Sequence, residues 1–252
     1  MSRTLAQLSS LRGTTGIVTG GSSGLGLAIA QLLTASGARV HAFSRSGKPK
    51  KGGRTRGVVH HAVDITDAPA VADLVRRIGQ RSGLDFVVNN AGITVRAPFV
   101  KSREEDWRAI QEVNVLAAAR LSRLAFPFLK KSRHPGRVIF VTSMAAHLGF
   151  SEVTAYCASK AAALGLMRGL AVEWAPHGIL VNSVAPGWFP SEMTKQVMDA
   201  ARRKKILARM PLHRFGKPEE LAAAVGFLLS PGATYITGHD LAVDGGALAF
   251  GY

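Results

Sequence analysis

The chain is poor in cysteine, in acid and in long apolar runs. Its 252 residues include one cysteine, Cys157. That excludes an intrachain disulfide and a thiolate zinc cluster, fits a reducing cytoplasm, and leaves no metal expected. No apolar run reaches the roughly 18 residues of a membrane-spanning helix, so no membrane association is expected. The opening "MSRTLAQLSSLRG" lacks the long apolar stretch of a secretory signal. It is acid-free but too short for a transit peptide.

Acids are the other scarcity. Asp and Glu number 16 against 32 Lys and Arg, a formal net charge of +16. Such a balance permits nonspecific attraction to nucleic acid, or steering of anionic ligands toward a cleft. No zinc-finger, KH or RRM signature accompanies it, so specific nucleic-acid binding is not expected. The charge reads first as a solvated surface.

What the chain does have is apolar content, 47% of residues, in an ordered alternation. Strand-like runs occur at 16–20, 39–44, 58–64, 84–91, 137–143, 179–186 and 240–245. Their near-continuous apolar character fits strands buried on both faces of a parallel sheet. Helical periodicity lies between them, as in Leu25, Ile29, Leu32 and Leu33, with Gly37 placed to end that helix. "SREE", Ser102 to Glu105, has capping-box spacing before a long helical stretch, and another helix spans roughly 154–175. The expectation is α/β: a single doubly wound domain over 1–252, with a mostly parallel seven-stranded sheet and helices on both faces.

The first strand runs into "TGGSSGLG", Thr19 to Gly26. Glycines at 20, 24 and 26 permit a tight turn and close approach of a pyrophosphate to the backbone. The helix start beyond offers unpaired N–H groups. The spacing G-x-x-x-G-x-G only partly meets the dinucleotide fingerprint, and "GGSSG" is also a formal nucleophile elbow centred on Ser22. A hydrolase would need a placed acid and histidine as well, and none of the eight histidines sits in a telling motif.

The segment "YCASK", Tyr156 to Lys160, follows "VTSM" with Ser143. Tyr and Lys four apart share one helix face. A free phenol titrates near pH ~10, and a nearby ammonium can lower that by roughly 1–3 units. Such a pair can exchange a proton with a carbonyl or alcohol oxygen, which Ser143 at a strand end could also hydrogen-bond.

Taken with "VDIT" (63–66), "NNAG" (89–92), "NV" (114–115), "APG" (185–187) and a C-terminal "RFGKPEEL…YITG…VDGG", these residues resemble the classical short-chain dehydrogenase/reductase family over nearly the whole chain. The resemblance implies a Rossmann-type fold and hydride transfer between a nicotinamide cofactor and a carbonyl or alcohol carbon. It also implies Tyr156 as general acid/base, Ser143 as the group orienting the substrate oxygen, and Lys160 tuning Tyr156 and binding the nicotinamide ribose. Asn114 would serve the proton relay. Cofactor contacts implied are Gly20, Ser22, Ser23, Gly24, Leu25 and Gly26 in the turn, then Ser44 and Arg45. Asp64 and Ile65 would lie at the adenine, Asn90, Ala91 and Gly92 beside the adenosine, and Pro186, Gly187, Phe189 and Ser191 beside the nicotinamide. A substrate lid is expected at about 188–213, and a homotetramer built on 104–131, 154–175 and the C-terminal region.

The second strand ends at Ser44 and Arg45, where NAD-preferring members carry an acid for the ribose hydroxyls. A ribose phosphate would meet Arg45 as a charge-assisted partner, so NADP(H) is expected over NAD(H). The segment beyond, with Lys48, Lys50, Lys51, Arg54 and Arg56 among glycines, reads as a loop replacing the usual helix. "WFPSEMTKQV" and "NNAGITVRAPF" look similar to gluconate 5-dehydrogenase-like members, which implies a keto sugar acid substrate. Arg96 is placed to meet its carboxylate or, equally, to be a surface arginine. The C-terminal motifs look like 3-oxoacyl-carrier-protein reductases as well, and that alternative stays open. So does a non-catalytic cofactor-sensing or nucleic-acid-associated protein, against which the intact Ser143, Tyr156 and Lys160 set stands.

Overall fold

The computed structural model describes residues 4–49, 57–190 and 200–251. Seven strands run in chain order: β1 (Thr15–Thr19), β2 (Arg39–Ser44), β3 (Val58–Ala62), β4 (Phe86–Asn89), β5 (Gly136–Val141), β6 (Ile179–Pro186) and β7 (Asp240–Val243). They form one sheet ordered β3-β2-β1-β4-β5-β6-β7, and every neighbouring pair is parallel. The helices are α1 (Leu5–Leu8), α2 (Gly24–Ala35), α3 (Ala68–Ser82), α4 (Glu104–Gln111), α5 (Ala117–Leu129), α6 (Thr154–Trp174), α7 (Ala200–Arg209), α8 (Pro218–Leu229) and α9 (Ala247–Phe250).

The apolar strands are explained by two cores, one on each face. Successive residues of a strand point to opposite faces. Ile17, Val87, Val138 and Phe140 therefore pack with α3, α5 and α6, through Leu74, Ile78, Leu121, Leu129 and Met167. Their neighbours Val18, Val88 and Ile139 pack with α2 and α8, through Ile29, Leu33, Leu221 and Val225. β1, β4 and β5 are buried at every position.

Strand order reverses between β1 and β4, which brings "TGGSSGLG" and "NNAG" to one crevice at the strands' carboxyl ends. α2 ends as expected, with Gly37 at φ +98°. The β2–β3 connection is a turn through 45–49, with Lys48 exposed in it; Lys50, Lys51, Arg54 and Arg56 lie outside the described residues.

The capping box at Ser102 does not form. α4 starts after Arg103, which makes no side-chain cap bond. The Ser102 hydroxyl instead donates to the Phe99 carbonyl (2.7 Å) and accepts from the Trp107 indole (3.1 Å), which leaves it no role at the helix start. The long stretch that follows is also interrupted, because residues Glu112–Leu116 form a π turn between α4 and α5.

Gly16 of β1 faces Phe86 of β4, and a Cβ there would stand 2.2 Å from the ring. Gly16→Ala should therefore destabilise the fold by about 1–3 kcal/mol, read as a lower urea midpoint at unchanged slope. An unchanged midpoint would show that Phe86 has room to yield.

Candidate active site

The crevice is built on Thr19, the last residue of β1. Its Oγ1 accepts the backbone N–H groups of Asn90 (3.0 Å) and Ala91 (2.9 Å), and its carbonyl accepts Asn90 Nδ2–H (2.8 Å). Asn90 in turn closes the space beneath the glycine turn. A Cβ at Gly26 would lie 2.4 Å from Asn90 Nδ2, and one at Gly20, where φ is +68°, would lie 2.8 Å from it. Gly24 has φ +51°, yet a Cβ there would meet nothing within 4 Å. The turn is thus tight on its protein side and open on the other. Ser22 is buried, Leu25 packs on the core, and Ser23 precedes α2 without a side-chain cap bond. The first N–H groups of α2 and the positive end of its dipole are left to a ligand, which fits a dinucleotide pyrophosphate.

Beyond the end of β2, Ser44 Oγ accepts Gly47 N–H (3.2 Å) and Arg45 is exposed. Asp64 accepts both the backbone N–H and the hydroxyl of Thr66, at 2.9 and 2.8 Å. These bonds first, and the charge of Arg45 after them, hold its carboxyl below the ordinary value. Arg45 and Asp64 are therefore electrostatic neighbours, and Ile65 packs behind them against the core.

The second half of the site joins β5, α6 and the π turn. Ser143 follows β5, accepts Ala145 N–H at 3.0 Å, and hydrogen-bonds the Tyr156 phenol. Lys160 Nζ lies 5.6 Å from the Tyr156 ring centroid and donates to the Val141 carbonyl at 2.7 Å. Asn114, buried within the π turn, accepts Ile93 N–H (2.8 Å) and donates to Ile93 O (3.0 Å) and Ser159 Oγ (2.9 Å). Gly92 links the halves: a Cβ there would lie 3.3 Å from Asn114 Oδ1 and 3.6 Å from Lys160 Nζ.

Burial governs the protonation of this pair. It pushes the Tyr156 phenol up to about 12, with the Ser143 hydrogen bond opposing and Cys157 adding to the rise. It pulls the Lys160 ammonium down to about 8. The expected acidification of Tyr156 by Lys160 is thus overturned in this structure. The ammonium faces the ring and the Val141 carbonyl, and removing the phenolate from water outweighs it. At neutral pH the phenol is a proton donor.

The remaining expected contacts divide. Gly187 N–H donates to Val243 O (3.0 Å), just after Pro186 closes β6. The Phe189 side chain is buried in the core against Gly216, so a cofactor would meet backbone there. Ser191 lies outside the described residues. Arg96 is engaged by Glu152, whose backbone has φ +67°, through an Nε–Oε2 bond of 2.6 Å, and a substrate carboxylate would have to compete with that pair. The sequence reading missed three features. Ser159 carries the Asn114 bond and itself sat within "YCASK". Phe150 and Trp188 form an edge-to-face pair 6.2 Å apart. Asp240 accepts Thr142 and Ser183 hydroxyls at 2.8 and 2.6 Å and bonds His147 at 2.6 Å, bracing the strand end before Ser143. Neither of the last two had a local signal, because their partners lie far apart in the chain.

The family profile described as enoyl-(acyl carrier protein) reductase matches residues 20–247. The 3-oxoacyl-[acyl-carrier-protein] reductase FabG of Vibrio cholerae serotype O1 is 39% identical over 243 residues, 94% of this chain and 98% of that protein. A gluconate 5-dehydrogenase from Burkholderia cenocepacia J2315, in complex with NADP and tartrate, superposes with TM-score 0.91 at 28% identity, covering 98% of this chain and 99% of its own. A 7α-hydroxysteroid dehydrogenase complexed with NADH and 7-oxo glycochenodeoxycholic acid gives TM-score 0.91 at 31% identity, covering 97% and 98%. The chain belongs to the short-chain dehydrogenase/reductase family. It is an oxidoreductase acting between CH–OH and carbonyl groups with a nicotinamide nucleotide, and no described helix is long and apolar enough to cross a membrane.

Lys160→Met should separate fold from chemistry. In the fold the ammonium keeps its proton to about pH 8, against an ordinary 10.5, so its destabilising effect is full below about 8 and fades between 8 and 10.5. The variant without cofactor should gain roughly 1–2 kcal/mol at pH 7, after loss of the Val141 bond, and the gain should shrink toward pH 10.5. Turnover should collapse. Thermal unfolding across this pH range checks the sign.

Proposed function

We propose that the protein interconverts a ketone and a secondary alcohol with NADP(H), using Tyr156 as general acid/base, and that its substrate is a keto sugar acid. The observation that carries the reaction is the joining of Ser143, Tyr156 and Lys160 beside Gly92 at the strands' carboxyl ends.

In the reducing direction the Ser143 and Tyr156 hydroxyls hold the substrate oxygen, and the neutral phenol gives that oxygen its proton. The bound nicotinamide supplies the hydride. Asn114 keeps the Ile93 backbone and α6 in register through Ser159, whose hydroxyl donates to the Tyr156 carbonyl at 2.8 Å. In the oxidising direction Tyr156 must accept a proton, so its raised affinity makes oxidation faster as pH rises. The turn from Gly20 to Gly26 holds the pyrophosphate, with Asp64, Ile65, Asn90, Ala91 and Gly92 along the adenosine. Pro186, Gly187, Phe189 and Ser191 border the nicotinamide, and 188–213, of which 191–199 lie outside the described residues, is the lid of a one-domain enzyme.

The coenzyme preference rests on the end of β2, where Ser44 and exposed Arg45 stand in place of a carboxylate. The NADP of the gluconate 5-dehydrogenase relative agrees, and the NADH of the hydroxysteroid dehydrogenase shows that the fold accepts either. Tartrate in the former is a hydroxy acid, which supports an acid substrate; Arg96 meets it by exchanging Glu152. A second reading, reduction of 3-oxoacyl thioesters on an acidic carrier protein, is favoured by the FabG relative and by the +16 charge. Exposed Leu116, Val172, Tyr235 and Phe250 lie on the segments expected to build a homotetramer, and free Cys157 suits the cytoplasm.

Tyr156→Phe should lower kcat by about 10²- to 10⁴-fold with folding intact; full activity would overturn the acid/base assignment. Wild type should favour NADPH over NADH in kcat/KM, and Arg45→Asp should move that ratio at least about tenfold toward NADH. An initial NADH preference would refute the coenzyme reading. Coenzyme absorbance with keto sugar acids and 3-oxoacyl thioesters in parallel decides between the substrates.

A further inference from the structure

A cavity of about 570 Å³ opens on the flank of the sheet, between its edge strand β3, β2 and the second half of α3. It lies toward the strands' starts. Arg39 is the first residue of β2, and Arg81 is in the last turn of α3. The coenzyme residues Ser44, Arg45 and Asp64 follow the opposite strand ends. The two places therefore do not share a wall.

The lining combines fixed positive charge with an apolar and aromatic floor. Arg39, Arg77 and Arg81 contribute guanidinium groups, and none of the lining residues is acidic. Arg39 Nη1 donates to Ser82 Oγ at 3.4 Å, and Arg77 is shared with Asp73 outside the lining, at 3.0 Å. Leu74 and Ile78 form the floor beside the imidazoles of His41 and His61, which stack with centroids 5.2 Å apart.

His41 borders the cavity with a largely buried ring. The residue is 9% exposed, and its Nε2 is buried with no hydrogen-bond partner among the described residues. Its Nδ1 lies 2.9 Å from His61 Nε2. Burial first, then His61 and Arg39, hold the His41 ring down to about 4, so it is neutral at physiological pH. One of the two rings donates across that contact, so the pair holds a proton between them.

We propose that this cavity is a second ligand site, separate from the coenzyme site, for a small phosphate monoester with an apolar or aromatic body. Guanidinium groups match phosphate oxygens in forked geometry. The apolar floor accounts for the organic part, and the volume falls within the range of small-molecule sites.

Phenyl phosphate is the probe, titrated by calorimetry at fixed ionic strength with saturating NADP⁺ so that the coenzyme site is occupied. Wild type should bind it, and the exposed double variant Arg77→Gln/Arg81→Gln should bind at least about tenfold more weakly, with kcat and the NADPH KM unchanged. The His41 Nε2 resonance should shift on titration of wild type. No binding up to about 10 mM would overturn the proposal. So would equal affinity in the double variant, or an effect of Arg45→Asp matching that of the double variant.

Discussion

Three hydrogen bonds onto Thr19 hold the working edge of this molecule together. They join the ends of β1 and β4, neighbours in the sheet whose connections depart in opposite directions. With Asn90 fixed there, residues 20 and 26 must lack a Cβ, and the turn can lie close over the strand end. The same loop carries Gly92 to Asn114 and Lys160. The glycine turn and the helix carrying Tyr156 and Lys160 are thereby positioned by one junction, so a shift at Thr19 would misplace both.

The candidate site holds ionisable groups away from water. Tyr156 and Lys160 are displaced in the directions that disfavour their charged forms, upward and downward respectively. Arg137 shows the structural version of the same arrangement. It is buried in β5, its guanidinium donates to the carbonyls of Ser230 and Ala233, and burial lowers it to about 10. Arg137 has acceptors on two residues of a neighbouring segment, whereas Lys160 has the Val141 carbonyl and a ring face. That leaves its remaining donor capacity to a ligand. The π turn at 112–116 serves this region by turning Asn114 inward, where it satisfies both backbone groups of Ile93 and reaches Ser159.

The excess of positive charge is unevenly used. Many arginines end in exposed pairs such as Arg108 with Glu104 and Arg76 with Asp73, which contribute little to stability. Elsewhere guanidinium groups outnumber the acids beside them, Asp64 near Arg45 and Asp73 on Arg77. Arg45 at the end of β2, and Arg39, Arg77 and Arg81 on the flank, face places where an anion would be attracted. The scarcity of Asp and Glu is thus a property of particular surfaces as well as of the composition.

The alternation of buried strands and amphipathic helices was legible because each element's pattern is local, and parallel strands joined by helices admit few arrangements. The turn at 19–26 and the spacing of Tyr156 and Lys160 are local too, so they could be picked out as candidates directly. The capping box at Ser102 failed because its hydroxyl found Phe99 and Trp107, a choice settled by packing. Arg96 met Glu152 across 56 positions, and Asp240 braced Thr142 across 98. No window of sequence contains such partners. The direction of the Tyr156 shift was likewise a matter of tertiary structure, since spacing places an ammonium near a phenol but only packing sets how much water each keeps. Residue order settled which elements form and which groups can react; the folded arrangement settled their surroundings, because dielectric, exposure and distant hydrogen-bond partners exist only once the two cores have closed.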